Sequence, residues 1–347
     1  MACYSPEGYY LWIEILTLMN AIVTHNIFRL KAIWKRIVSE NVSIRPTQHY
    51  DYYRYLWLVF CVRHIGQRWR VEFHLLEEGA NRCIIPLIVN HKRKKIRGFA
   101  YYGRLDYEDI ISSTTDHEFN KDCLTHVFGR YMGYSVYIDK INESSTLFSL
   151  IESHMQFDIN CVCIDTHRDY GQWLSGISKH QQQNIRSAYN RVDREGFVTQ
   201  LEVFDELHPI PRKLWRKCCQ LYERRGGDKG NRWQLWYRRQ MNAFTHILHR
   251  VEGHRIYVLK HGETPVAYMA GMFSKRHSCF FVPRLSHDID YNRYSPGILL
   301  ICETIKALTV EGVQYLDLMY GDEPYKLTMG GTINKNYRLD CMVDDLL

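Results

Sequence analysis

Tyr294-Ser295-Pro296-Gly297 stands where a polar, aromatic loop gives way to an apolar helical pattern. Residues of these types can do two things there. Ser295 can cap the helix by accepting a bond from an unpaired backbone N–H, and Pro296 suits the first helical position, where no N–H is needed. Gly297 has no side chain, so a ligand can approach the backbone. The N–H groups beyond Pro296 then make an anion site, as for a phosphate or pyrophosphate, with the helix dipole behind them. Arg293 adds a charge beside it. Plain capping and anion binding both stay open on these residues alone.

Other chemistries find less support. The 11 Cys include no C-x-x-C pair, so neither a zinc ribbon nor a thioredoxin-type site is indicated. Cys61, Cys83, Cys161, Cys163, Cys279 and Cys302 sit in apolar runs, as small buried hydrophobes do, and a reducing cytoplasm fits them. His246 and His249 are three apart on an expected helix but lack a Cys or carboxylate partner at metal spacing, so no metal is expected. The Gly226-Gly227-Asp228-Lys229-Gly230 loop lacks the spacing of a Walker loop, and no local signature of Ser-His-Asp or Cys-His catalysis occurs.

A chain of 347 residues is comfortable for two domains, and 46% hydrophobic with 24% charged residues argues for a globular chain rather than a disordered one. The net charge of +7 is a mild excess. Its densest cluster, His91-Lys92-Arg93-Lys94-Lys95, reads as a basic turn between two strands, with contact to phosphate or anionic lipid as the other reading. Gly8 to Val38 is strongly apolar, but Glu14, Thr17, Asn20 and Thr24 interrupt it. No run reaches the ~18 apolar residues of a spanning helix, and no signal-peptide pattern is present. Arg29, Lys31, Lys35 and Arg36 follow, so residues 1–40 either pack on the first domain or lie on a membrane surface.

The elements that must position the opening motif follow from periodicity. Arg45-Pro46 ends a segment of N-terminal helices, 1–45. Arg70–Leu76 and Cys83–Val89 alternate as a strand pair around a Gly79 turn; Ile96–Tyr102, Val136–Ile138 and Cys161–Ile164 are further strand candidates. They make a mixed domain, 46–168. Trp173–Glu195 reads as one helix with Leu174, Ile177, Ile185, Ala188 and Val192 on its apolar stripe, ended by Gly196. Its basic face carries Lys179, His180, Arg186, Arg191 and Arg194. That charge is modest and fits a solvated face, so nucleic acid is not an expected partner. Pro211 opens another helix, and Trp233–His249 is expected to be a second. Strands over Arg255–Lys260, Val266–Phe273 and Cys279–Arg284 come next. The helix after Ser-Pro-Gly carries Ile298, Ile301, Cys302, Ile305 and Leu308 on one stripe and stops at Gly312; Val313–Leu318 is a last strand.

Two helices, three antiparallel strands, then a helix start able to cradle a pyrophosphate: this order resembles that of the GNAT acyltransferases. More specifically, Gln172–Tyr325 resembles the CelD-like acetyltransferase family associated with cellulose biosynthesis. The matching motifs are Trp173-Leu174 through Ser178-Lys179, Arg186 and Glu195-Gly196; Tyr294-Ser295-Pro296-Gly297 with Leu299-Leu300; and Asp317 followed by Gly321-Asp322-Glu323-Pro324-Tyr325-Lys326. Pro86-Leu87 and Tyr107-Glu108-Asp109 resemble that family's N-terminal part. The family is similar to the FemABX peptidyltransferases in pairing two GNAT-like domains.

The resemblance implies an α+β fold of two tandem GNAT-like domains, each a mixed, mostly antiparallel sheet flanked by helices. The first, 46–168, is degenerate, and the second, 169–347, carries the site. It implies acyl transfer from acetyl-CoA or another acyl-CoA, or from a related phosphopantetheine or tRNA carrier, to a sugar or amine acceptor. The carrier's pantetheine is expected along Phe281, Val282, Arg284 and Leu285, and its pyrophosphate at Arg293, Tyr294, Ser295, Gly297 and Ile298. The usual GNAT pattern there, Gln or Arg followed by two spaced glycines, is represented by Asn292, Ser295 and Gly297, and Pro296 removes a donor. Asp317, flanked by Leu316 and Leu318, is the expected base, or else a structural Asp that pins the Gly321 turn. Tyr320 is a candidate acid, or a packing residue. Lys326 is placed to hold a phosphate or developing charge, or to pair with Asp322. Arg225, Trp233, Asp322 and Tyr325, with Arg224, are expected to line an acceptor cleft. A non-catalytic GNAT-like protein that acts as an envelope-assembly partner is the alternative.

Overall fold

A computed structural model describes residues 19–63, 68–100, 106–225, 246 and 248–347. The chain divides into two compact units, Met1–Ile44 with Gln48–Phe157 and Tyr337–Leu347, and Arg45–Thr47 with Asp158–Asn336.

In the first unit, β1 (Asn20–Thr24), β2 (Arg70–Glu78), β3 (Asn81–Asn90), β4 (Lys95–Arg97) and β6 (Ser135–Asn142) lie in the order β1-β2-β3-β4-β6, with the short β5 (Ile111–Ser112) on β3. Every pairing is antiparallel except β4 with β6, which the helix His117–Gly129 connects. Asn20–Thr24 was expected to be helical. It is a strand, because it pairs with Phe73–Glu77 in a half-buried alternation. One sheet face packs on His117–Gly129 through Cys83, Ile85, Leu87, Cys123 and Val127. On helices Lys31–Glu40 and Tyr50–Arg63, the buried Trp34 meets Tyr53 at 5.1 Å and Phe73 at 6.0 Å.

The second unit contains β7 (Met155–Asp165), β8 (Gln200–Phe204), β9 (His254–His261), β10 (Thr264–Ser274), β11 (Cys279–His287), β12 (Tyr315–Tyr320) and β13 (Gly331–Met342), in the order β13-β7-β12-β11-β10-β9-β8. The chain passes from one unit to the other within β7 and β13. The expected single helix from Trp173 is two, Tyr170–Gly176 and Lys179–Arg194. Asp169 caps the first by accepting from Gln172 N at 2.7 Å, and Ser178 starts the second by accepting from Gln181 N at 3.2 Å. Local side-chain caps break a helix that hydrophobic periodicity alone leaves continuous. The stripe holds regardless: Ile177, Ile185, Ala188 and Val192 are buried against Ile301, Ile305 and Leu308 of the helix Pro296–Val310.

Apart from the short β5 before the first unit's helix, both units repeat one order: strand, strand, strand, helix, then a strand parallel to the third. In the first it is β2-β3-β4-helix-β6, in the second β9-β10-β11-helix-β12. Left-handed residues fall at matching points. Lys94 (φ 47°) and Ser278 (φ 48°) sit in the turns before β4 and β11, while Lys140 (φ 57°) and Met319 (φ 53°) sit late in β6 and β12.

Candidate active site

The parallel ladder of β11 and β12 is short. It runs from Cys279↔Tyr315 to Phe281↔Asp317, although β11 continues to His287 and β12 to Tyr320. The strands therefore part just beyond Phe281 and Asp317. Backbone conformation explains the parting on the β12 side. Met319 is left-handed, Asp317 Oδ1 accepts the Met319 N–H at 2.7 Å, and the register of β12 on β7 shifts between Asp317 and Tyr320. A fork of this kind can receive an extended chain along β11 by strand addition.

Asp317 is at the crotch of the fork and only 5% exposed, with Leu316 and Leu318 buried beside it. Its carboxylate already holds the turn through one oxygen. Phe281 and Val282 are buried, and Val282 belongs to the core. Arg284 is buried as well, its guanidinium 5.3 Å over the Tyr222 ring. Thiol chemistry is disfavoured at Cys279 in the ladder and at Cys302 on the helix, because burial lifts the Cys279 thiol well above its usual range and the Cys302 thiol to about 12.

Pro296 opens the helix as expected, but Ser295 does not cap it with its hydroxyl. Ser295 is left-handed (φ 54°, ψ 48°) and makes no side-chain cap bond. Its carbonyl instead accepts Ile298 N at 3.0 Å and Leu299 N at 3.1 Å. With Pro296 lacking an N–H, the Gly297 N–H is the donor left at this start. Gly297 also has a local reason to be small, since a Cβ there would stand 3.3 Å from Nδ1 of His287.

A cleft of about 240 Å³ opens at this point. Leu285, Ser295, Gly297 and Ile298, named for the carrier, line it together with His287, Asn292 and Ile301, and so does Tyr325, which was named for the acceptor cleft. His287 Nε2 lies 2.9 Å from Asn292 Oδ1. The expectation missed His287 because β11 runs past Arg284, where the sequence reading ended it. Arg293 and Tyr294 do not line the cleft. Arg293 pairs with Glu195, and the Tyr294 hydroxyl donates to the same carboxylate at 3.0 Å while its ring stacks on Phe197 at 4.0 Å. Arg293 and these hydrogen bonds hold the Glu195 carboxyl below its usual range. The loop is thereby tied to the end of the helix Lys179–Arg194.

Lys326 does not take the phosphate-holding place expected of it. It is 3% exposed, and its ammonium donates to the carbonyls of Leu318 at 3.0 Å, Tyr320 at 2.6 Å and Gly321 at 2.9 Å, with Glu323 Oε2 at 2.9 Å. Its donors are committed to the turn after β12, so it is not free to hold a phosphate. Its ionic partner is Glu323, while Asp322 Oδ2 accepts from Asn160 Nδ2 at 2.8 Å. Tyr320 is 48% exposed at the end of β12.

Arg225 closes the helix Arg212–Arg225, and Trp233 lies outside the described residues. Arg224 stands 3.8 Å from Asp288, and both border a second cleft of about 450 Å³ with Lys217, Gln220 and Thr264. Successive residues of an extended chain point to opposite faces. His287 and Asp288 therefore line two clefts on opposite faces of one sheet end.

Residues 179–327 match the family described as the acetyltransferase (GNAT) domain. That stretch of the second half is similar to a GNAT acetyltransferase domain, and its mostly antiparallel sheet flanked by helices is GNAT-like. No curated protein matches the chain in sequence. Among solved structures, it is similar to the C-terminal domain of an Agrobacterium fabrum protein named as a lysylphosphatidylglycerol synthetase, with TM-score 0.58, 12% identity and coverage of 92% of this chain and 94% of that one. FemX gives a TM-score of 0.53 at 9% identity over 82% of this chain and 91% of that one. L-PGS from Bacillus licheniformis gives 0.50 at 14% identity over 74% and 80%. At these identities the likeness is one of fold. Among the described residues, no group of His, Cys, Asp and Glu is arranged to hold a metal, and no helix is long and apolar enough to cross a membrane.

Proposed function

We propose that the chain is an acyltransferase that moves an acyl group from acyl-CoA, or from a related phosphopantetheine or tRNA carrier, to an amine or hydroxyl. The observation that carries this reading is the fork of β11 and β12 with buried Asp317 at its crotch, beside an apolar cleft at a helix N-terminus. The carrier arm lies along Val282–Leu285, and its phosphates sit at Gly297 with His287 and Asn292 alongside. The acceptor enters from the Arg224–Asp288 face. Asp317 takes the proton from the attacking N–H or O–H as the new C–N or C–O bond forms; with a thioester carrier the C–S bond breaks and Tyr320 protonates the leaving thiolate, and with a tRNA ester the C–O bond breaks and Tyr320 protonates the leaving ribose oxygen. Lys326 positions the carbonyls that shape the turn.

The acceptor belongs to polysaccharide or cell-envelope assembly. That assignment rests on the CelD-like motifs and on structural neighbours named FemX and lysylphosphatidylglycerol synthetase. Calorimetric titration with acetyl-CoA and longer acyl-CoA thioesters tests the reading. Saturable binding is expected, lost in Gly297→Glu with the fold retained and the thermal melt lowered only by the shift of the His287 ring that a Cβ requires. Absence of binding to every thioester would reject a CoA carrier. It would favour a second reading, a non-catalytic GNAT-like protein, to which the committed Lys326 and the single free N–H at the helix start already lend support.

A further inference from the structure

A charged surface in the first unit takes no part in this chemistry. Arg68 precedes β2 and Arg70 opens it, His91–Lys94 forms the turn between β3 and β4, and Lys95 opens β4; Arg68, Arg70, Lys92, Arg93, Lys94 and Lys95 are all exposed. Arg70 lies opposite Val89, and Asn90 opposite Lys95, so these six cations share one end of the sheet. Among the described residues, none of the six forms an ion pair. Surface cations elsewhere in the chain do pair, as Arg36 does with Glu40, Arg82 with Glu77, Arg255 with Glu311 and Lys306 with Glu303. Two acids stand by the tip, and both are engaged. Buried Glu72 binds His91 Nε2 at 2.6 Å and the Tyr131 hydroxyl at 2.5 Å, and Asp344 accepts the Gly133 N–H at 2.8 Å.

The tip is anchored. Arg93 N donates to Asn90 Oδ1 at 3.0 Å, and the His91 ring also meets the Tyr134 hydroxyl at 3.1 Å. Lys94 is left-handed (φ 47°), where glycine is the ordinary choice, yet a lysine stands there. Its carbonyl accepts Ser135 N at 3.0 Å, which brings in the neighbouring turn with Met132, 51% exposed. Trp69, half-buried, lies under the Arg97 guanidinium at 4.6 Å.

We propose that this tip docks on a membrane surface of anionic lipid. The cations are gathered at one compact, rigid end rather than strung along a groove, which suits a plane of phosphates better than the extended track of a nucleic acid. Met132 and the aliphatic stems of the lysines can enter the headgroup layer while the charges stay at phosphate level. The proposal is independent of the chemistry assigned to the second unit.

Co-sedimentation of the full chain with vesicles tests it. Binding is expected to vesicles of phosphatidylcholine mixed with phosphatidylglycerol, to be weak on phosphatidylcholine alone, and to be lost in high salt. Lys92→Glu/Arg93→Glu/Lys95→Glu should weaken binding by more than about tenfold. Arg212→Glu/Lys213→Glu/Arg216→Glu, the same charge change on the second unit, should leave it in place. Equal loss in both triple variants would mean general charge attraction and overturn the assignment, as would wild-type protein that ignores anionic vesicles. Tighter binding to a single-stranded oligonucleotide than to the vesicles would replace the lipid surface by nucleic acid. Unchanged thermal melts of both variants exclude unfolding as the cause.

Discussion

Asp317 holds a turn and is also the candidate base, and one substitution separates the two. Asparagine keeps an oxygen for the Met319 N–H but cannot take a proton. Asp317→Asn should therefore leave the melting temperature unchanged and lower kcat by roughly 100-fold or more with KM little altered; a kcat within a few-fold of wild type would leave Asp317 as a structural residue. Lys326→Met is expected to act differently. It strips donors from three carbonyls and leaves Glu323 without its ion pair, so a loss of about 3 kcal/mol in urea unfolding should accompany any loss of activity. Asp317 and Gly297 could be picked from residue type and neighbours. The commitments of Lys326 and Arg293 could not, because their partners are backbone carbonyls and a carboxylate that only folding brings within reach.

At the scale of elements, the fork depends on β10 and β11 lying close enough for β11 to be held while β12 leaves it. Gly271 makes that approach: a Cβ there would stand 1.8 Å from the Phe281 carbonyl oxygen, a backbone atom that cannot swing aside. Gly271→Ala should cost more than ~4 kcal/mol, or prevent the second unit from folding, as read by urea unfolding and by solubility. The strands and helices around the site were largely visible as alternation and as a stripe every three or four residues. Their ends were less so. Ser178 and Asp169 cut one expected helix into two, and β11 ran past Arg284 to place His287 in the cleft. Ends are decided by caps and cross-strand partners, whereas periodicity reports only the face that is buried.

For the whole molecule, the first unit carries two buried titratable groups that oppose each other across pH. Burial pushes the Glu108 carboxyl up to about 8, although Ala100 N–H and the Tyr53 hydroxyl donate to it. Folded Glu108 holds a proton that the unfolded chain releases near 4.5, so stability falls as pH rises from there to about 8. Burial lowers His74 to about 4, so the unfolded chain binds a proton that the folded chain does not, and stability falls as pH drops from 6.5 to about 4. The two effects oppose one another between about 4.5 and 6.5, which should be a plateau. Glu108→Gln should raise the urea midpoint at pH 8 relative to wild type and much less at pH 5; a constant difference would mean that Glu108 is ionised in the fold.

The α+β class came with the resemblance to GNAT motifs, while the residues read alone specify the three strands before the Ser-Pro-Gly helix and the buried stripes of both long helices in the second unit. These are local properties, written in the period of apolar residues and in turn chemistry. Folding alone accounts for the rest: β11 and β12 part after Phe281 and Asp317, Ser295 turns left-handed instead of capping, Lys326 serves a turn, and six cations meet at one end of a sheet where the two nearby acids, Glu72 and Asp344, are engaged by other groups. Each of these depends on which distant residues become neighbours, and neighbourhood in space is set by the packing of whole elements.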